Sequence, residues 1–169
     1  NCRTLISEHR CEGAMSQTEF AELMATITQR IGNRPLDKAL EADLERLFPA
    51  DGEMVARVFD ACRAGIAAGW MCSREHAGIK YGRVVKPGPS THGYSIDVVE
   101  MDDVAGGHHR HPNGEIDLIM PIDAGAAFDG RGAGWLVYEP DTAHVPTVTG
   151  GKAWVLYLLP QGAIEFTKT

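Results

Sequence analysis

No apolar run in this 169-residue chain approaches the length of about 18 that a membrane-spanning helix needs, so no membrane partner is expected. A basic cluster is missing as well. The 16 Lys and Arg stand against 23 Asp and Glu, for a net charge of −7. That balance argues against nucleic acid, whose phosphates demand a basic footprint, and no helix-turn-helix signal is present. The N-terminus has no apolar signal core, so secretion is unsupported. The four cysteines, Cys2, Cys11, Cys62 and Cys72, form no CxxC pair. They read as reduced thiols in a cytoplasmic protein rather than as a disulfide framework. Internal repeats and low-complexity stretches are absent. What remains is an ordinary apolar content of 44% and a length that suits one domain with its own core.

The first half reads as helix. Met15 precedes Ser16-Gln17-Thr18-Glu19, a capping-box pattern. Phe20, Leu23, Met24, Ile27 and Ile31 then recur at helical spacing until Gly32. Pro35 is expected to open a second helix carrying Leu36, Leu40, Leu44 and Leu47, which Pro49 ends. Asp51 is expected to cap a third, with Val55, Val58, Phe59, Cys62 and Ile66 on one stripe. These stripes read as core rather than as a binding groove, and Cys62 reads as packing.

After Trp70 short runs rich in Val, Ile and Tyr alternate with Gly, Pro and Asp. Candidate strands are 78–85, 93–101, 106–111, 115–121, 133–139, 143–148, 152–159 and 162–167. Their number and spacing predict a small antiparallel barrel or sandwich. Residues 1–14 read as a disordered leader or an appended segment, 15–70 as a helical segment packed on the barrel, and 71–169 as the barrel. In Glu115–Met120 one strand face carries Glu115, Asp117 and Ile119, while the other is wholly apolar. Trp154–Leu159 is apolar on both faces. Strands apolar on both sides need cover on both sides, from the helices or a second subunit, and a homodimer is expected on that ground.

The most informative stretch is His109-Arg110-His111-Pro112-Asn113-Gly114-Glu115. Strand alternation puts His109 and His111 on one face and turns His108 and Arg110 the other way. The Pro-Asn-Gly turn lets the next strand begin at Glu115, close to both imidazoles. His144 follows 29 residues after Glu115, behind Glu139-Pro140-Asp141-Thr142. A lone His-x-His pair usually means nothing. With Glu115 at that offset and a Pro-turn-His beyond, the set suits a divalent transition metal; the competing reading is a barrel that kept the pattern and lost its metal. Fe(II) or Mn(II) fits such a nitrogen/oxygen site with open positions best, and Zn(II) and Ni(II) are compatible with it. His9, His76 and His92 have no ligand-like spacing.

These residues resemble a known family. His109-x-His111-x3-Glu115 is similar to the first cupin motif, and Gly134 to His144 to the second. Asp141 stands where that turn usually has glycine, and Thr147 or Val148 replaces the usual asparagine. The resemblance implies a mainly β fold, a cupin (double-stranded β-helix, jelly-roll) barrel with an N-terminal helical segment. Gly114–Pro121, Phe128-Asp129-Gly130, Gly132–Trp135 and Val155–Pro160 are more specifically similar to the bacterial 4-hydroxylaminobenzoate lyase family, as are Ala64-Gly65, Gly69-Trp70 and Ser95–Val99. The resemblance implies a metal-dependent enzyme of nitroaromatic degradation. It would convert 4-hydroxylaminobenzoate, or a related arylhydroxylamine, to 3,4-dihydroxybenzoate and ammonia.

A benzoate substrate needs a cation. Arg83, on a strand beside Tyr81, is the first choice for gripping the carboxylate, since its fork matches carboxylate geometry, and Lys80 is the second. Tyr138 and Tyr157 are candidate proton donors or ring-stacking groups, with barrel packing as the plainer role. Asp97 is a candidate for orienting a ligand histidine. Two other functions share these residues: a cupin dioxygenase acting on an aromatic ring, and a ligand-binding cupin without turnover.

Overall fold

The computed structural model describes residues 15–167. The leader expected over residues 1–14, with Cys2, His9 and Cys11, lies outside them.

Three helices open the chain: α1 (Gln17–Ile31), α2 (Lys38–Leu47) and α3 (Glu53–Ala68). At α1 the capping box is complete, with Ser16 accepting from the Glu19 N–H and Glu19 accepting from the Ser16 N–H. Helix α2 begins later than Pro35, because the Asp37 side chain accepts from the Leu40 N–H and so fixes the first turn. The N-cap of helix α3 is Gly52 rather than Asp51, and Gly52 offers no side-chain acceptor.

Ten strands follow: β1 (Arg74–His76), β2 (Ile79–Val85), β3 (Tyr94–Ala105), β4 (His109–His111), β5 (Glu115–Pro121), β6 (Ala127–Phe128), β7 (Gly134–Tyr138), β8 (Thr142–His144), β9 (Thr147–Pro160) and β10 (Glu165–Phe166). The larger sheet runs β1-β2-β3-β9-β5-β7, with β6 added to β9, and the smaller runs β10-β4-β8. All pairings are antiparallel. Strand β9, expected to break at Gly150-Gly151, runs through both glycines; their φ of +79 and +124 accompany a register shift against β3 between Asp102 and Val104.

The two-faced strands are covered on both sides within the chain. Ile116, Leu118, Met120, Trp154, Leu156 and Leu158 join one core with Phe20, Met24, Ile27, Leu40, Leu44, Val58 and Cys62 of the helices. Ile119, Val155, Tyr157 and Leu159 point the other way, into a second core with Met101, Phe128, Leu136 and Val148. The helices therefore supply the cover that a second subunit was expected to share.

Strand β7 is the last strand on its side of the larger sheet and would expose unpaired backbone groups. Helix α2 satisfies them with side chains. The Trp135 N–H donates to Glu45 Oε1 at 2.6 Å, and the Val137 N–H donates to Glu41 Oε2 at 2.8 Å. Lys38 Nζ donates to the Val137 carbonyl at 3.2 Å, and the Trp135 indole donates to the Phe48 carbonyl at 2.8 Å. Gly134 permits this approach: it sits at φ +124, and a Cβ there would collide with Glu45 Oε1. Burial pushes the Glu41 carboxyl up, but Lys38, the Val137 N–H and Arg131 outweigh it and hold it below its ordinary value of 4.5. Glu41→Ala and Glu45→Ala should each cost about 1–3 kcal/mol, the penalty of a stranded donor, and lower Tm by several degrees. Because its folded value is depressed, the Glu41 share is present above pH 4.5 and fades as pH falls below it. Urea unfolding of both variants at neutral pH checks this, and unchanged midpoints would show that water serves the edge equally well.

Candidate metal centre

Strand alternation in β4 sends His109 and His111 into the barrel, 4% and 0% exposed. Arg110 turns outward, where it pairs with Asp141 and, at 2.9 Å, with Glu165. Gly114 turns the chain into β5 at φ +85. A Cβ there would sit 2.7 Å from the Tyr138 carbonyl and 2.8 Å from Leu36, so only glycine fits, and Glu115 begins β5 beside His111. Strand β8 then pairs with β4 so that His144 lies directly opposite His109. Asp141, in the position where glycine is usual, adopts φ +64, a left-handed conformation that a short polar side chain tolerates. The turn geometry survives the substitution.

Each imidazole is anchored through Nδ1. His109 Nδ1 donates to the Gly107 carbonyl at 3.0 Å. Thr142 Oγ1 donates to the Glu139 carbonyl at 2.7 Å, so it accepts from His111 Nδ1 at 3.2 Å. His144 Nδ1 donates to Asp129 Oδ2 at 2.6 Å. These partners assign the tautomers: in neutral rings all three Nε2 atoms carry bare lone pairs. Those lone pairs face one another. His109 Nε2 and His144 Nε2 are 3.0 Å apart, His111 Nε2 lies 3.3 Å from Glu115 Oε2, and His144 Nε2 lies 3.8 Å from it. All four donor atoms fall within 4.8 Å of one another. His111 Nε2 and Glu115 Oε2 are buried without a hydrogen-bond partner.

The electrostatics point the same way. Burial, with His144 next in effect, pushes His109 down to about 4 and His111 to about 3, so both rings are neutral at pH 7. Burial pushes the Glu115 and Asp117 carboxyls up; Glu115 raises Asp117 further, whereas a side-chain hydrogen bond from Asp117 only partly offsets the burial of Glu115. Converging lone pairs and a buried carboxylate repel one another until a cation sits among them. Donors roughly 2.1 Å from one ion lie about 3.0 Å apart when adjacent on an octahedron and about 4.2 Å when opposite, close to the spacings found. The residues present therefore fit a divalent metal.

The donors open onto a cavity of about 730 Å³. His109 and Glu115 reach it, with Tyr157, Asp97, Met101 and Leu159 around them. Arg83 also lines the cavity, but its fork is occupied: Nε and Nη2 donate to Asp97 at 2.8 and 3.2 Å, and Nη2 donates to the Gly162 carbonyl at 3.2 Å. Asp97 touches this guanidinium and not a ligand histidine; at Asp97 burial outweighs Arg83 and raises the carboxyl. The carboxylate that orients a histidine is Asp129, a residue with no ligand-like spacing to His144 in the sequence. It occupies the first corner of an Asp129-Gly130 turn, with φ of +48 and +80 and two Phe128–Arg131 backbone hydrogen bonds of 2.8 Å. That pattern is a type I′ hairpin, for which Asp-Gly is the usual sequence signal. Burial pushes Asp129 up, but His144, the Tyr138 hydroxyl at 2.5 Å and the Thr147 N–H at 2.9 Å hold it down. Tyr138 is thus committed to Asp129 and does not line the cavity. Lys80 faces away and pairs with Glu100 at 3.7 Å. Tyr157 keeps its place on the cavity wall, opposite Asp97 on one side and Asp117 on the other.

An antiparallel barrel that presents three histidines and one glutamate at the ends of β4, β5 and β8 defines a cupin. Within that class the family model described as PnbB, 4-hydroxylaminobenzoate lyase, matches residues 22–166. The chain belongs to the 4-hydroxylaminobenzoate lyase family. It is 32% identical to a 4-hydroxylaminobenzoate lyase of Nocardioides sp. (strain LMS-CY), over 81% of this chain and 86% of that one. It is 30% identical to a 4-hydroxylaminobenzoate lyase of Pseudomonas putida, over 77% and 86%. Among solved structures, an RmlC-like cupin of Ralstonia eutropha has a TM-score of 0.43 at 11% identity, covering 57% of this chain and 64% of its own. An oxalate oxidase in complex with glycolate has a TM-score of 0.43 at 20% identity, covering 56% and 58%.

If Asp129 holds the His144 tautomer, Asp129→Asn should weaken binding of a divalent metal about 10- to 100-fold. Competition titration with a chromophoric chelator measures this. Unchanged affinity would mean that β8 alone orients the ring.

Proposed function

We propose that this chain is a metal-dependent lyase that takes 4-hydroxylaminobenzoate, or a related arylhydroxylamine, to 3,4-dihydroxybenzoate and ammonia. The observation that carries the reading is the set of three Nε2 lone pairs and the Glu115 carboxylate, facing one another at the wall of an aromatic-sized cavity. Membership of a lyase family supports it. The overall change is redox-neutral: one water is taken up, one ammonia leaves, and the electron pair lost by the ring carbons is accepted as the N–O bond breaks. No outside oxidant is required.

His109, His111, Glu115 and His144 would hold the metal; Fe(II) or Mn(II) suits the donors best, and Zn(II) or Ni(II) is accommodated by them. When bound, such an ion supplies Lewis acidity toward an oxygen donor. The chain's own groups do the rest. Met101, Val99 and Leu159 give the aromatic ring an apolar wall and exclude water. Burial, reinforced by Glu115 and Asp117, keeps the Tyr157 phenol protonated, so its hydroxyl donates to a substrate atom. Tyr138 acts through Asp129, as a positioning residue for His144.

We also propose a cytoplasmic homodimer. The free, buried thiols of Cys62 and Cys72 suit a reducing compartment, and Phe166, Val145 and Ile122 leave apolar surface, 73%, 45% and 38% exposed, for a partner copy. No helix among the described residues is long and apolar enough to cross a membrane. A clean monomer mass by light scattering at micromolar concentration would refute the dimer, and cell fractionation tests the compartment.

The reaction is tested by ammonia release from 4-hydroxylaminobenzoate under strict exclusion of oxygen. Release that disappears on chelation and returns with one divalent ion is the expected result. Turnover only with oxygen uptake would favour a ring dioxygenase, and saturable binding without product a non-catalytic cupin.

A further inference from the structure

Resting on that reading of the substrate, we propose that Arg74 at the cavity mouth, and not Arg83, grips the substrate's carboxylate. The aromatic then lies along the cavity with its anionic end outward and its nitrogen toward His109 and Glu115.

The cavity has two unlike ends. Its floor is buried and carries the donor set: Glu115 is 1% exposed and His109 4%. Asp97, two strands away from Glu115 in the same sheet, is already taken by Arg83. The mouth is exposed and basic: Arg74 and Lys86 line it, and Tyr81 stands between the floor and Arg74. Register fixes this order. Arg74 pairs with Tyr81 across β1 and β2, and Tyr81 pairs with Val99 of β3. One step along, Arg83 pairs with Asp97, and Asp97 with Tyr157. Arg74 and Arg83 thus share the cavity side of the sheet, a strand apart.

Arg83 is neutralised where it stands. Asp97 takes two of its donors and the Gly162 carbonyl shares one of them, so the pair presents no net charge to a ligand. Arg74 makes no ion pair among the described residues. Lys86 makes none either, but an ammonium lacks the planar fork that matches a carboxylate. A para-substituted benzoate has its two ends at opposite poles of the ring. That shape matches a cavity with donors for the nitrogen end at its floor and a guanidinium at its rim.

The test compares two non-reacting probes by calorimetry on the full chain loaded with metal: 4-hydroxybenzoate, which carries the charge, and 4-hydroxybenzamide, which does not. Arg74→Ala should weaken 4-hydroxybenzoate binding about thirtyfold and leave 4-hydroxybenzamide within about twofold. Arg74→Lys should recover part of the loss. In turnover, KM for 4-hydroxylaminobenzoate should rise with kcat little changed, the mark of binding lost equally from ground and transition states. Equal affinity for 4-hydroxybenzoate in wild type and Arg74→Ala overturns the proposal, as does a thirtyfold loss carried by Lys86→Ala instead. Wild-type turnover with an unchanged KM in Arg74→Ala would overturn the grip and leave the lyase reading standing. Absence of wild-type ammonia release would overturn that reading itself.

Discussion

Four electron-rich atoms are forced to face one another inside the barrel, and much of the architecture is explained by what that costs. Three imidazole lone pairs and a carboxylate gain nothing from proximity. They are held there because each ring is gripped at its other nitrogen, by Gly107, Thr142 and Asp129 respectively. Without those grips a ring flip would let one histidine donate to another and dissolve the set. The anchoring groups come from three different connections, so the segment between β3 and β4, the Glu139–Thr142 turn and the Asp129-Gly130 turn all serve the same geometry. Strain is accepted where this requires it: Asp129 and Asp141, both at positive φ, lie before and after β7 on the path to His144.

The helices belong to the same arrangement. A strand that directs Glu115 and Asp117 inward must direct Ile116, Leu118 and Met120 outward, and only a second layer removes them from water. Helices α1 to α3 form that layer. Burial of large aliphatic side chains at roughly 1.5–3 kcal/mol each offsets the penalty of keeping ionisable groups dry on the other face. Helix α2 also closes the β7 edge with Glu41 and Glu45, which holds the β5–β7 pairing in register next to Glu115. The apolar back of the sheet and the polar front are two consequences of one alternation.

Charge distribution then separates the ends of the cavity. The donor set with Glu115 lies at its buried end, and Arg74 and Lys86, which make no ion pair among the described residues, line it at exposed positions. An ion pair midway, Arg83 with Asp97, cancels itself and divides the two regions.

The sequence alone was enough for the elements whose signals are local. The helical stripes, the capping box at Ser16, most strands and the His109-x-His111-x3-Glu115 turn follow from periodicity and from glycine at a position no other residue fits. The four donors were legible because alternation and a tight turn tie three of them together over seven residues. What tertiary structure alone decided were the partners made across the sheets. Arg83, the first choice for the carboxylate, looked like a free cation until strand register set Asp97 opposite it. Asp129 gave a clear Asp-Gly turn signal, but nothing local ties it to His144, fifteen residues on. Local signals set which face a side chain takes, because a strand has period two. Which group it meets there depends on how distant strands are registered, and that is settled only when the sheets close.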